Sequence, residues 1–478
     1  MLRSTRHLER FLLAGMLLVL VWLPMPLGSN REWAVGLFIL LMGGLGCAWA
    51  IGQIYGGAER GPQNKAMKTA LPLLALLLLT QAWVAVQWLA GLTVDIGSTF
   101  QHLMLGLAYC LLFLLVIALF HTRKRLNLLL GTLVVSGTLQ AFFGAFMTLS
   151  DVEWLLAGPK DSYIGDATGT FVNRNHLAGY LEMTLACGIG LLLALRDDRP
   201  FSWANLVELL MGPKARLRLA LVVMVIALVM THSRMGNIAF FASLLLVGSL
   251  FVVLEKENRL RNGLILTSII LIDVLVVSQY FGLERLKDRV LSTRLNDVVV
   301  NGEVVQQANE VRDDVFSYAL PLLRERPLMG QGAGSFEAVF PRYPGEDIRI
   351  HFDHAHNDYI QFAVEFGLLG SLPLAAFILA ALWYALRALW RRESVYRRGV
   401  GFGAAMGIIA LLIHSSTDFN LQIPANAATL VVVCAIAVLA GSQAAPRKHA
   451  EHPGRDGSPR GHERPLDAPR LPPQPAQP

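Results

Sequence analysis

FLLAGMLLVLVWLPMPLG (residues 11–28) decides the fold, because it is either a secretory leader or the first of many membrane helices. A leader is followed by a small-residue cleavage pattern of the A-x-A type. None follows here. The run is therefore read as a retained helix, and the chain continues in the same manner. Further apolar runs long enough to cross a hydrocarbon core, which takes about 20 residues, occupy 33–51, 69–91, 101–120, 126–149, 177–195, 217–231, 235–254, 263–280, 359–386, 399–413 and 425–443. The expected fold class is all-α, a polytopic membrane protein of about twelve transmembrane helices. The runs 217–231 and 399–413 are short and need flanking residues to span. Composition agrees: the 478 residues are 54% hydrophobic and 16% charged, against roughly 25% charged in an average soluble domain.

Lys and Arg favour cytoplasmic loops. Most of the 41 basic residues fall on the side shared with Arg3, Arg6 and Arg10, in segments such as HTRKR (121–125) and Arg391 to Arg398. Both termini are expected inside. The net charge of +6 thus serves topology and contact with anionic membrane lipids rather than nucleic acid. Cys47, Cys110, Cys187 and Cys434 all lie within spans, which excludes a disulfide framework or a zinc site of ordinary spacing. Two units are expected: an integral domain over 1–443 and a Pro-, Gly- and charge-rich tail over 444–478, too poor in apolar residues to fold.

The connection 281–358 is far longer than ordinary loops, and such loops are commonly functional. Within it, Val311, Val315, Tyr318, Ala319 and Leu322 recur at helical spacing. An amphipathic helix is expected there, ending before Pro327 and lying on the membrane or the bundle. The following turn, GQGAGS (330–335), lacks the strand and spacing of a dinucleotide site. It has the composition to present backbone N–H groups to an anion.

Seven of the twelve histidines fall at or near the outer face, and polar clusters sit at the outer ends of four apolar runs: FVNRNH (171–176), THSRMGN (231–237), HFDHAHND (351–358) and HSSTDFN (414–420). Bundles build sites from facing helices, so converging ends would make a polar chamber. Arg174, Arg234 and Arg312 are permanently charged forks of the type that binds phosphate oxygens; pairing with Asp166, Asp313 or Asp418 is the structural alternative. His356 is the candidate catalytic base, with Asn357 or Asp358 to orient it. His351, His354, His356 and Asp353 could instead ligate zinc or iron, although the spacing matches no usual motif. Glu182 and Asp273 lie inside spans, where a transporter would keep a proton relay.

HNDYIQFAVEFGLLG, from His356 and Asn357 through Gly367 to Gly370, resembles the His-Asn…Gly…Gly motif of the O-antigen ligase and polymerase superfamily of membrane glycosyltransferases. The SRMGN segment with Arg234, and Arg312 followed by ERPLMGQGAGSF, are similar to the same family, over roughly 160–425. The resemblance implies transfer of a glycan from undecaprenyl diphosphate to a sugar hydroxyl at the periplasmic face of a bacterial inner membrane, without cofactor or metal. Arg234 and Arg312 would hold the diphosphate and His356 would activate the acceptor. GTFVNRNHLAGYLEM and DFNLQIPANA look more like the polymerase-type members, and add Arg174 to the donor residues. The acceptor would be a growing glycan or lipid A core, with a chain-length regulator or biosynthesis complex as partner. A polysaccharide or lipid-linked substrate transporter is the competing reading.

Overall fold

The computed structural model describes residues 2–55, 65–155, 158–195, 213–254, 263, 267, 298–300, 303–306, 312–342, 351–391 and 394–442. Eleven long helices run through them: α1 (Leu2–Trp22), α2 (Glu32–Tyr55), α3 (Lys65–Leu89), α4 (Ile96–Leu119), α5 (Arg123–Leu149), α6 (Arg174–Ala194), α7 (Pro213–Met230), α8 (Arg234–Leu254), α11 (Asp358–Trp390), α12 (Val395–His414) and α13 (Pro424–Ser442). A short pairing, β1 (Trp154–Leu155) with β2 (Gly158–Pro159), precedes α6. Between α8 and α11 lie an antiparallel hairpin, β3 (Val298–Val300) with β4 (Glu303–Gln306), a helix α9 (Arg312–Glu325) and a single turn α10 (Phe336–Val339). The chain is an all-α polytopic membrane protein. Among the described residues nine helices are long and apolar enough to cross a membrane; α1 and α7 are the other two long ones.

Eleven of the twelve predicted spans coincide with helices. The ninth, 263–280, with Asp273, and the tail 444–478 lie outside the described residues. The short runs extend as expected, to Pro213–Met230 and Val395–His414. The first span is displaced: its helix ends at Trp22 rather than residue 28. Pro24 and Pro26 explain the early stop, since each lacks an N–H and pushes the residue before it out of the helical region. The chain turns instead, and Ser29 Oγ donates to Leu23 O at 2.6 Å.

α13 is the axis of the bundle, with every residue from Pro424 to Ser442 buried. A helix apolar on all sides belongs inside, and its Ala, Val and Gly side chains admit close neighbours. α6 and α12 flank one another at backbone distance. A Cβ at Gly190 would lie 2.7 Å from Gly403 Cα, and one at Gly399 would lie 2.3 Å from Ala194 N. At one end of the bundle Arg397 donates from Nε to Ala440 O (2.8 Å) and from Nη2 to Gly441 O (3.1 Å), closing the carbonyl end of α13 with positive charge. Arg125 pairs with Glu9 at 2.6 Å, and Arg123 lies over the Tyr396 ring at the same end. The four polar clusters stand at the other end.

α9 forms where helical spacing predicts it and stops at Glu325, two residues before Pro327. Val315, Ala319 and Leu322 are fully buried against Phe336, Phe340, Phe352, Ala355 and Val364. This helix therefore packs on its own loop and on the start of α11, and Val311 lies outside the described residues.

Candidate functional site

α11 begins with a side-chain cap. Asn357 Oδ1 accepts from the N–H groups of Tyr359 (3.0 Å) and Ile360 (3.1 Å), and Asn357 Nδ2 donates to Ser416 O (2.8 Å). The same residue thus starts one helix and ties it to the segment after α12. Asp358, fully buried, accepts from Leu421 N (3.0 Å) and Gln422 Nε2 (3.3 Å), while its own N–H donates to Ser415 O. The Asn357 and Asp358 side chains thus tie the segment 415–422 to the start of α11, directly after His356.

That segment delivers Phe419 to the centre of a histidine cluster. The ring of His356 meets Phe419 edge-on at 4.8 Å between centroids, His176 does so at 4.6 Å, and His354 lies over it at 4.4 Å. His356 takes a left-handed backbone conformation (φ 49°) one residue before the cap, a conformation costly for a non-glycine residue and retained only where surroundings enforce it. Gln361 bridges the turn, accepting from Ala355 N at 3.1 Å through Oε1 and donating to His354 Nδ1 at 3.0 Å. Burial pushes His354 down to about 4 despite the nearby Asp353 carboxylate, so its imidazole is neutral near pH 7. His351 bonds Glu337 at 2.8 Å on the exposed rim. His354 and His356 thus share Phe419 while His351 stands apart on Glu337, and among the described residues no three His, Cys, Asp or Glu side chains are grouped to hold a metal ion.

The other clusters join this one. Asn175 Nδ2 donates to Asp418, and His176 Nε2 lies 3.7 Å from the same carboxylate. Arg174, the first residue of α6, donates from Nη1 to Asp166 Oδ2 at 2.7 Å, and its guanidinium lies 5.5 Å from the Tyr163 ring centroid. His232 Nδ1 meets the other oxygen of Asp166 at 2.6 Å. Burial alone would raise the Asp166 carboxyl, but the His232 hydrogen bond and the Arg174 charge outweigh it and hold it below the usual range. Arg234, exposed, opens α8 two residues later. α9, which begins at Arg312, rests on Phe352 and Ala355 beside His356; the Arg312 side chain lies outside the described residues.

Gly367 and Gly370 have mechanical roles. Gly367 (φ 59°) breaks α11 within its length, and Gly330 (φ 71°) faces it so closely that a Cβ on Gly367 would lie 2.5 Å from Gly330 N. Leu368 N and Leu369 N, freed by the break, donate to Pro327 O (2.9 Å) and Leu328 O (3.1 Å). Gln331 N and Gly332 N donate back to Val364 O and Glu365 O. A Cβ at Gly370 would meet Trp83 Cδ1 at 2.7 Å. The glycine-rich turn does offer N–H groups to an anion, and that anion is the chain's own: Gly334 N and Phe336 N donate to the buried Glu365 carboxylate.

Below the cluster, Glu182 Oε1 and His414 Nδ1 pair at 2.8 Å with no exposure of either side chain. Glu182 is legible in the sequence as an intramembrane acid, and its partner is not. Phe419 escapes sequence reading altogether, since a phenyl ring in HSSTDFN gives no chemical signal; only its place between the converging ends reveals it. His232 and Asp166 can be found in the sequence only as polar neighbours of the arginines.

The fold and this site define a polytopic membrane protein with a cluster of histidines and aspartates, joined by Arg174, at one end of its bundle. Residues 219–375 match the family model described as O-antigen ligase, and this match supports membership of the O-antigen ligase superfamily. It supports with it a membrane glycosyltransferase of the ligase or polymerase type. The matched stretch takes in α8, α9 and the full motif from His356 to Gly370, and leaves Arg174 outside. No curated protein matches the chain.

Proposed function

We propose that the integral domain, residues 1–443, transfers a glycan from undecaprenyl diphosphate to a sugar hydroxyl at the periplasmic face of the inner membrane. The observation that carries this reading is the convergence of His356, His354 and His176 on Phe419 beside the Arg174–Asp166–His232 cluster. Such a cluster suits a reaction with a neutral nucleophile on one side and a departing anion on the other.

In this reading the imidazole of His356 takes the proton of the acceptor hydroxyl as its oxygen attacks the anomeric carbon. The bond from that carbon to the phosphate oxygen breaks, and the lipid diphosphate leaves with the electron pair. Arg174, Arg234 and Arg312 stabilise the charge that grows on it. Attack opposite the departing group inverts the anomeric centre. A glycan repeat or lipid A core fills the acceptor side, and a chain-length regulator is a fitting partner for the polymerase form.

Reconstitution with a purified lipid diphosphate glycan and candidate acceptors tests this. Wild type should extend one acceptor, and His356→Ala should form no product at equal membrane abundance. Near-normal product from His356→Ala would remove the assigned base. A proton-coupled flux without glycan transfer would favour the transporter reading instead.

A further inference from the structure

Asp166 grips two groups at once. Its Oδ2 accepts from Arg174 and its Oδ1 from His232. The backbone that carries it is itself held: Lys160 Nζ donates to the Asp166 and Tyr163 carbonyl oxygens, each at 2.9 Å, and pairs with Glu153. Ala167 N, the next residue, donates to Met230 O at the end of α7 (2.9 Å). The loop bearing Asp166 is thereby fastened to the turn bearing His232.

That turn is unusual in its backbone. His232 has φ 51°, between the last residue of α7 and the first of α8. A non-glycine residue in this region costs about 1 kcal/mol or more and persists where the surroundings over-determine it. An ionised carboxylate can only accept, so the proton on Nδ1 belongs to the imidazole. With Nδ1 committed to Asp166, Nε2 on the far side of the ring is directed away from that carboxylate. His232 keeps 20% of its side-chain surface and Arg174 33%, against 15% for Asp166. The carboxylate is the most shielded of the three, and its two partners are the more exposed.

Resting on the reading above, we infer that His232 is a donor-binding residue, whose Nε2 takes a phosphate oxygen of the lipid diphosphate beside Arg174, with Asp166 as the positioning residue for both. No bond is made or broken in this role. An imidazolium donates from both nitrogens, so one ring serves Asp166 and the diphosphate together. A carboxylate that orients an imidazole and a guanidinium toward one anion supplies preorganised donors of the kind that bind phosphate.

Binding of undecaprenyl diphosphate to the detergent-purified full chain tests this. His232→Asn retains an amide donor near Nδ1 for Asp166 and lacks the Nε2 position, whereas His232→Gln reaches that position. The dissociation constant should rise about tenfold or more in H232N, recover in part in H232Q, and stay within twofold of wild type in H351A. Equal affinity of H232N and wild type would overturn the inference and leave the donor reading intact; absence of binding by wild type itself would overturn both. A second measurement needs no variant. Inorganic pyrophosphate should slow modification of His232 by diethyl pyrocarbonate several-fold without protecting the exposed His351. An unchanged rate at His232, under pyrophosphate that protects neither residue, counts against the assignment.

Discussion

At the scale of single residues, the motif from His356 to Gly370 divides into chemistry and mechanics. Gly367 is the mechanical end: its φ of 59°, and the 2.4 Å that would separate an added Cβ from Leu328 O, leave no room for alanine. Gly367→Ala should destabilise the protein by on the order of 1–3 kcal/mol and reduce transfer, read as a lower melting temperature with lower turnover. Arg234 is proposed for the donor site: Arg234→Lys should lower turnover at least tenfold, because a point charge does not replace a planar fork; wild-type turnover would make Arg234 an interface anchor. The motif's spacing is legible in the sequence. That its glycines serve a backbone-to-backbone contact with Gly330 is not, since the partner lies in another segment and is matched by shape.

At the scale of elements, helix positions follow from apolar runs, and helix ends follow from caps and prolines. Asn357 caps α11 and holds Ser416. Asn357→Ala should cost about 1 kcal/mol as a lost cap, with an added loss of turnover because the Phe419 segment is released. The Glu182–His414 pair joins α6 to α12 inside the bundle. Replacing His414 by Ala leaves a buried carboxylate without its partner, an effect of about 3–5 kcal/mol; the melting temperature of the purified protein should fall well below that of wild type. Unchanged thermal stability would show the pair to be dispensable for packing. Sequence reading finds Glu182 because an acid in an apolar run is conspicuous. It cannot find the pairing, since His414 lies 232 positions away and only the packing of α6 on α12 relates them.

For the whole molecule, the two ends of the bundle are chemically distinct: arginines close helix termini at one end, and histidines, arginines and aspartates gather at the other. If the second end faces the periplasm, a cysteine introduced at Ser162 should react with a membrane-impermeant maleimide in intact cells, and one at Lys124 only after permeabilisation. The reverse pattern would invert the topology. Acid should act on the histidine end. His354 is depressed to about 4 in the fold, so between its ordinary value near 6.5 and about 4 the unfolded chain binds the extra proton and the folded one does not. Stability therefore falls as pH drops through this window, by on the order of 1–3 kcal/mol. His354→Gln should flatten that slope in melting curves taken from pH 7 to 4. Spans and charge bias are readable from the order of apolar runs and basic residues, whereas the histidine cluster depends on which helix ends meet, and that is set by small-residue contacts that leave little trace in hydropathy.

The contact of Gly190 with Gly399 and Gly403 carries an evolutionary consequence. Selection would see these positions through shape alone, because no side chain there could touch a substrate. Descendants of this chain could vary exposed positions such as His351 at the polar end, while α6 and α12 stay locked at the same separation. Surface chemistry is then free to drift across a scaffold whose glycines are not.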